Sequence, residues 1–233
     1  MWDALTTADV FALGIFIASW LALELVLGYS PLAKFSLSGL MAAQRRQWIL
    51  VLADREMRMV DTQIMAGLQQ GCAFFASTSM IGIGGCFALL GSTETALQIY
   101  RDLPLDEFSR TAWEIKSLGL ALILAYSFFK FGWAYRLFNY CGVLLGAVPE
   151  PIVDNREQRI TAALRLAHMN ILAGRHFTAG MRGLFFSMGY LGWFISPEML
   201  VFTTLAVALV LVRRQYFSNA RRTLLEDPST APQ

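Results

Sequence analysis

Glu24, Gln69, Gln70, Lys130 and Arg182 each interrupt an otherwise apolar stretch of this chain. A charged or amide group carried into hydrocarbon is costly unless it meets a partner, so each is a candidate for function. At about 1.5 Å per helical residue, Glu24 lies roughly 8 Å from the inner end of its stretch, and Gln69 and Gln70 lie at a similar depth in the next. Lys130 lies about seven residues from the end of the third stretch and Arg182 about five residues into the fourth, again close to one level. These depths predict a single hydrogen-bonded polar layer in which Glu24 pairs with Lys130 or Arg182. The leftover positive charge would then meet an anionic solute or a lipid headgroup. In a competing reading Lys130 and Arg182 snorkel to the interface and bind phospholipid phosphates. Arg136, Asn139 and His176 are candidates for the same interfacial or lipid-phosphate role. Glu24 is too short to escape, so it must find a donor or take up a proton. A carboxylate that protonates suits a proton-coupled carrier; a structural ion pair accounts for it equally well.

Other reactive residue types form no recognisable set. His168 and His176 are the two histidines and could ligate haem or a metal, but no Cys-x-x-Cys, His-Glu-x-x-His or carboxylate cluster accompanies them. A cytoplasmic interfacial role is expected for both, with no metal and no cofactor. Cys72, Cys86 and Cys141 lack ligand spacing and read as small packing residues. Ser77, Thr78 and Ser79 either bond back to their own helix or line a path. Gly82-Ile-Gly-Gly85 follows no strand, which excludes a dinucleotide loop. Gly67-Leu-Gln-Gln-Gly71 and Gly142-Val-Leu-Leu-Gly146 match the Gly-x-x-x-Gly pattern of close helix approach, within the chain or between copies. No nucleophile–His–acid arrangement follows from chain order, so no catalytic residue is assigned.

The elements that must position these residues follow from composition. The chain has 233 residues, 56% hydrophobic and 15% charged, against about 25% charged in an ordinary soluble domain. A net charge of +2 from 19 basic and 17 acidic residues excludes a nucleic-acid binder built on a basic surface. The apolar stretches predict an all-α integral membrane bundle, one transmembrane domain over 1–220, with spans near 8–29, 64–90, 117–140, 177–195 and 197–215. A polar cytoplasmic tail, 221–233, follows. The leader Met1-Trp-Asp-Ala-Leu lacks the basic region of a signal peptide, so the first stretch reads as a retained helix. Ser196-Pro197-Glu198 divides the last apolar region, because Ser caps, Pro suits the first helical position and Glu faces the dipole. One proline-kinked helix is the alternative.

Charge placement favours five spans. Lys34, Arg45, Arg46, Arg55 and Arg58 fall in 30–63, and Arg156, Arg159, Arg165, Arg175 and Arg182 in 146–183. Arg213, Arg214, Arg221 and Arg222 follow Val212, whereas 91–116 holds only Arg101, Arg110 and Lys116. With the N-terminus outside, the three basic-rich segments share the cytoplasmic side, as in a multi-pass protein of the inner (plasma) membrane.

Two cytoplasmic segments read as helical extensions. In 40–63, Ile49, Leu52, Met57, Val60 and Ile64 recur at helical spacing, with Gln47, Asp54, Arg58 and Asp61 on another face. Asp54 with Arg58, and Arg58 with Asp61, can pair along such a helix, which would continue unbroken into the second span. Segment 156–176 repeats the design with Ile160, Leu164, Ala167 and Ile171 opposite Arg156, Arg159, Arg165 and Asn170. Span, proline, basic helix and span thus occur twice, a crude parallel repeat that convergent packing also explains.

Several fragments also fit a known pattern: Phe-Phe-Ala-Ser-Thr-Ser at 74–79, Trp113-Glu-Ile-Lys116, Phe128-Phe-Lys-Phe-Gly-Trp-Ala-Tyr-Arg136, Asn139-Tyr140 before Gly146-Ala-Val-Pro149, and His176-Phe-Thr-Ala-Gly-Met-Arg182. Their order over about residues 8–220 resembles the domain-of-unknown-function family numbered 599. The resemblance implies a multi-spanning membrane protein of bacteria or plants and carries no catalytic residues with it. The first functional expectation is a permease or channel whose polar layer passes or senses a small solute, an anion or proton. The alternative is a non-catalytic scaffold or assembly protein that holds lipid or a partner through its basic amphipathic helices; a membrane enzyme ranks third. The expected partners are the phospholipid bilayer, a second copy of the chain or another membrane protein, and no nucleic acid.

Overall fold

Hydroxyl side chains cap several of the helix starts of this chain. In a computed structural model that describes residues 5–28, 30–94, 109–151 and 155–225, Thr6 opens α1 (Thr7–Gly28). Its Oγ1 accepts the Asp9 N–H at 3.2 Å while Asp9 Oδ2 accepts the Thr6 N–H at 3.0 Å, a reciprocal cap of two otherwise unpaired donors. After a 3-10 turn, Pro31–Phe35, Ser36 caps α2 (Leu37–Ala53) by accepting the Gly39 N–H at 3.1 Å. α3 (Met59–Gly91), α4 (Arg110–Gly146) and α5 (Arg156–Tyr190) follow, and α5 passes into a second 3-10 turn, Leu191–Phe194. α6 (Pro197–Tyr216) begins where Ser-Pro-Glu predicts, with Ser196 Oγ accepting the Met199 N–H at 3.2 Å. The chain is therefore interrupted there, not merely kinked. α7 (Asn219–Leu225) is the last element, and no strand occurs among the described residues. Tyr29 at the end of the first stretch, Arg101 of the segment 91–116 and residues 226–233 of the polar tail lie outside the described residues.

The expected continuous helix through 40–63 is corrected: α2 ends at Ala53 and α3 starts at Met59. Side chains of the intervening residues find partners that a straight helix would deny them. Asp54 turns its N–H back onto the Val51 and Leu52 carbonyls, and its carboxylate takes Arg159 at 3.0 Å. Arg55 reaches Asp61 at 2.7 Å, and Arg58 donates to the Val148 and Pro149 carbonyls at 2.5 and 2.7 Å. These contacts replace the pairs expected between Asp54 and Arg58 and between Arg58 and Asp61. The second copy of the crude repeat behaves differently, since α5 runs unbroken through 156–176.

Four helical segments are long and apolar enough to cross a membrane: α1, α3, α4 and the one that opens at Pro197. Their exposed side chains include Phe11, Leu21, Ile81, Leu122, Phe202 and Leu209, a surface suited to lipid and not to water. This marks a membrane protein. α5 is not among the four. Its apolar part, from Phe177 to Tyr190, covers about 21 Å at 1.5 Å per residue and contains Arg182.

Two compact units share these helices. The first comprises Met1–Ser30, Ser77–Phe128 and Gly180–Val212; the second comprises Pro31–Ala76, Phe129–Ala179 and Arg213–Gln233. Aromatic rings build the first unit's interior: Phe16 meets Phe186 and Tyr190 edge-on at 5.5 and 5.4 Å, and Trp20 stacks on Phe186 at 5.4 Å. Gly119 admits the Tyr190 hydroxyl and Gly183 admits Ser127, each where a Cβ would collide. In the second unit Ile49, Leu52, Met65, Leu137, Phe138, Cys141 and Leu166 form a buried aliphatic core. The Gly-x-x-x-Gly pairs do not serve close packing within it: Gly67, Gly71 and Gly146 face open space, and only Gln69 comes within 4.0 Å of a Cβ at Gly142.

Candidate functional site

Glu24 and Arg182 are the two polar-layer residues that the structure brings together. Both belong to the first unit, Glu24 on α1 and Arg182 on α5. Arg182 donates from Nη2 and Nε to the same carboxylate oxygen, Glu24 Oε2, at 2.7 and 2.9 Å. The Arg182 side chain is only 7% exposed, so it does not snorkel: its guanidinium turns inward because α1 offers a carboxylate there. Glu24 keeps 22% of its side-chain surface open, and its second oxygen, Oε1, takes no partner among the described residues. Gln69 and Lys130, both half-buried, and the exposed Gln70 belong to the second unit.

A second charge pair of the first unit escaped the reading of the sequence. Lys116 on α4, 1% exposed, faces Asp9 Oδ1 at 3.6 Å and donates from Nζ to the Trp193 carbonyl at 2.9 Å. Asp9 Oδ1 also accepts Trp193 Nε1–H at 2.6 Å, and Asp9 Oδ2 accepts the Thr6 hydroxyl at 2.7 Å. The ammonium lies 5.2 Å from the centre of the Trp193 ring. Asp9 thus serves both as the capping acid of α1 and as counter-ion to Lys116. The available signal was one acid near the start of the first apolar stretch and one lysine at the start of the third. Nothing in their spacing marks them as neighbours.

In the second unit the interfacial candidates gather around Trp133. Arg136 donates from Nε to the Tyr140 hydroxyl at 2.7 Å, and its guanidinium carbon stands 6.0 Å from the Trp133 ring centre and 5.6 Å from that of Tyr140. His176 of α5 meets Trp133 edge-on at 6.4 Å, and Asn139 is exposed one turn from Arg136. His168 is exposed as well. The three cysteines are free and buried. Among the described residues no group of three or more His, Cys, Asp or Glu side chains could hold a metal ion.

Arg45 of α2 reaches into the same unit, where Nη1 donates to Asn170 Oδ1 at 2.6 Å and the guanidinium faces the Phe138 ring at 5.7 Å. Burial holds this group below its ordinary pKa. Beyond it, α2 and α5 enclose a groove of about 430 Å³, with Leu50, Val51, Ile160 and Leu164 as its apolar lining and Arg46 and Arg156 among its polar residues. Asp54 also lines the groove and is neutralised by Arg159. Arg46 and Arg156 are exposed and make no ion pair among the described residues. Periodicity indicated Ile160 and Leu164 on α5, but on α2 it picked out Ile49 and Leu52, which lie in the core; the groove is lined there by Leu50 and Val51 beside Gln47 and Asp54 of the face read as polar.

No curated protein and no solved structure matches the chain. One family model, described as a protein of unknown function, DUF599, matches residues 11–220. That stretch takes in the Glu24–Arg182 pair, the Trp133–Tyr140 cluster and both walls of the groove, and by this match over most of its length the chain belongs to the DUF599 family.

Proposed function

We propose that the protein is a non-catalytic scaffold of the inner (plasma) membrane that holds a cytoplasmic partner on the basic face of α2 and α5. In this reading five spans place the N-terminus outside, α5 supplying the fifth crossing, and the groove faces the cytoplasm. The observation that carries it is the groove: exposed apolar side chains, Val51 at 45% and Leu164 at 37%, beside two arginines that no acid answers among the described residues. Apolar surface rimmed by charge marks interaction sites on proteins. Arg156 precedes Phe177, where the apolar part of α5 begins, by about 31 Å along the helix at 1.5 Å per residue. Its side chain is too short to reach the phosphates of the host bilayer from there. A photo-crosslinking side chain at Val51 is therefore expected to capture a protein partner in cells, and Arg46→Glu with Arg156→Glu to abolish the adduct. Adducts with lipid alone, or an adduct indifferent to the charge reversal, would remove the basis of this reading.

A permease or channel for a small anion or proton is the second reading, favoured by the open oxygen of Glu24 in an otherwise apolar helix. It requires water at that depth. With Cys72, Cys86 and Cys141 replaced, cysteines at positions 24 and 130 are then expected to react with a small aqueous thiol reagent at rates near that of an exposed control such as position 168. Labelling a hundredfold slower at both positions would rule the pathway out.

A further inference from the structure

We infer that Arg136 and Tyr140 form a binding site for the phosphate of an anionic phospholipid. The site rests on α4, with His176 of α5 set against its Trp133 wall, and its argument is independent of the groove. α4 is 37 residues long, about 55 Å, far more than a hydrocarbon core of about 30 Å requires. Counted from Ser117, where its apolar run begins, about 20 residues fill that core and end at Arg136. Around this point, between exposed Phe129 and exposed Val143, the exposed residues differ in kind from the aliphatic ones. Trp133, Tyr135 and Tyr140 are each at least 40% exposed, alongside exposed Arg136 and Asn139. Amphipathic rings and arginine at this level match the headgroup belt of a bilayer.

Within that belt Arg136 is prepared for an anion. Its Nε–H is committed to the Tyr140 hydroxyl, and its position against the faces of Trp133 and Tyr140 restrains the guanidinium. Both Nη groups have no partner among the described residues. Two parallel N–H donors on one planar group match a phosphate's oxygens in a way that an ammonium does not. Tyr140 accepts from Nε, which leaves its own O–H to donate to a third oxygen. His176, edge-on to Trp133, holds that ring as one wall of the site. A fixed guanidinium loses little freedom when the anion arrives.

The test uses the full-length protein in a neutral detergent, titrated with dihexanoyl-phosphatidylglycerol, dihexanoyl-phosphatidylcholine or glycerol 3-phosphate, with thermal unfolding as the readout. Phosphatidylglycerol is expected to raise Tm of the wild type in a saturable way, and the other two to leave it near the ligand-free value. Arg136→Gln, at an exposed position, should keep the ligand-free Tm and bind phosphatidylglycerol about tenfold more weakly, the loss of one charge-assisted contact. Arg136→Lys should restore only part of the affinity. Tyr140→Phe, which frees Nε and removes one donor, should weaken binding while leaving the charge in place. Equal shifts in wild type and Arg136→Gln would overturn the site. A full response to glycerol 3-phosphate alone would overturn the lipid assignment in favour of a soluble phosphate, and a full response to phosphatidylcholine would show no selectivity for an anionic headgroup.

Discussion

Lys116→Met is expected to cost about 3–5 kcal/mol of stability, the usual range when one partner of a buried ion pair is removed. The lysine is almost wholly enclosed, and its loss leaves Asp9 as an uncompensated carboxylate with Trp193 Nε1–H and Thr6 as its remaining donors. It also leaves the Trp193 carbonyl without the ammonium that it now accepts. Asp9→Asn combined with Lys116→Met should recover a large part of the loss, because a neutral amide can still accept from the indole and no charge is left without an answer. Unfolding in detergent, followed by near-UV circular dichroism, measures both variants. A single variant as stable as wild type, or a double variant no better than Lys116→Met, would show that this pair does not fasten α1 to α4.

The second large effect lies at Glu24 and Arg182. Arg182→Met is expected to destabilise by about 2–4 kcal/mol, since it strands a carboxylate on an apolar helix. Glu24→Gln should cost less, because an amide oxygen can still accept from the guanidinium. Combining the two should give a coupling of about 1–3 kcal/mol. Strictly additive losses would mean that the contact at 2.7 Å carries no energy. Arg182→Lys should recover only part, as a single ammonium cannot supply donors from both Nε and Nη2 at once. The same series discriminates between functional readings. A structural pair predicts that stability and assembly fall together, whereas a permeation role predicts that Glu24→Gln lowers solute flux by more than its loss of folded protein.

The two charge pairs show how far residue types alone can lead. Glu24 announces itself because a short carboxylate deep in an apolar stretch has few escapes. The sequence narrows its partner to Lys130 or Arg182 and cannot choose between them. The choice depends on the rotation of α5 about its own axis, and that rotation is fixed by contacts such as Ser127 and Tyr126 closing over Gly183. Asp9, Lys116 and Trp193 gave no comparable signal. Their meeting requires the 3-10 turn Leu191–Phe194 to bring an indole and a carbonyl beside residues that are distant along the chain. The two Gly-x-x-x-Gly matches are not used for packing within the chain for the same reason: spacing makes a flat face, but only packing decides which helix of the chain uses it.

Residue types and their order were enough for the helical class, a surface suited to lipid, and the helix start at Ser196. Hydropathy adds residue by residue and a cap needs only the next three positions, so both are written locally. The break between α2 and α3, the inward turn of Arg182, the burial of Lys116 and the side-by-side faces of α2 and α5 were decided by the tertiary structure. Each depends on donors and acceptors from remote segments meeting within about 3 Å, a distance set only when whole helices have packed.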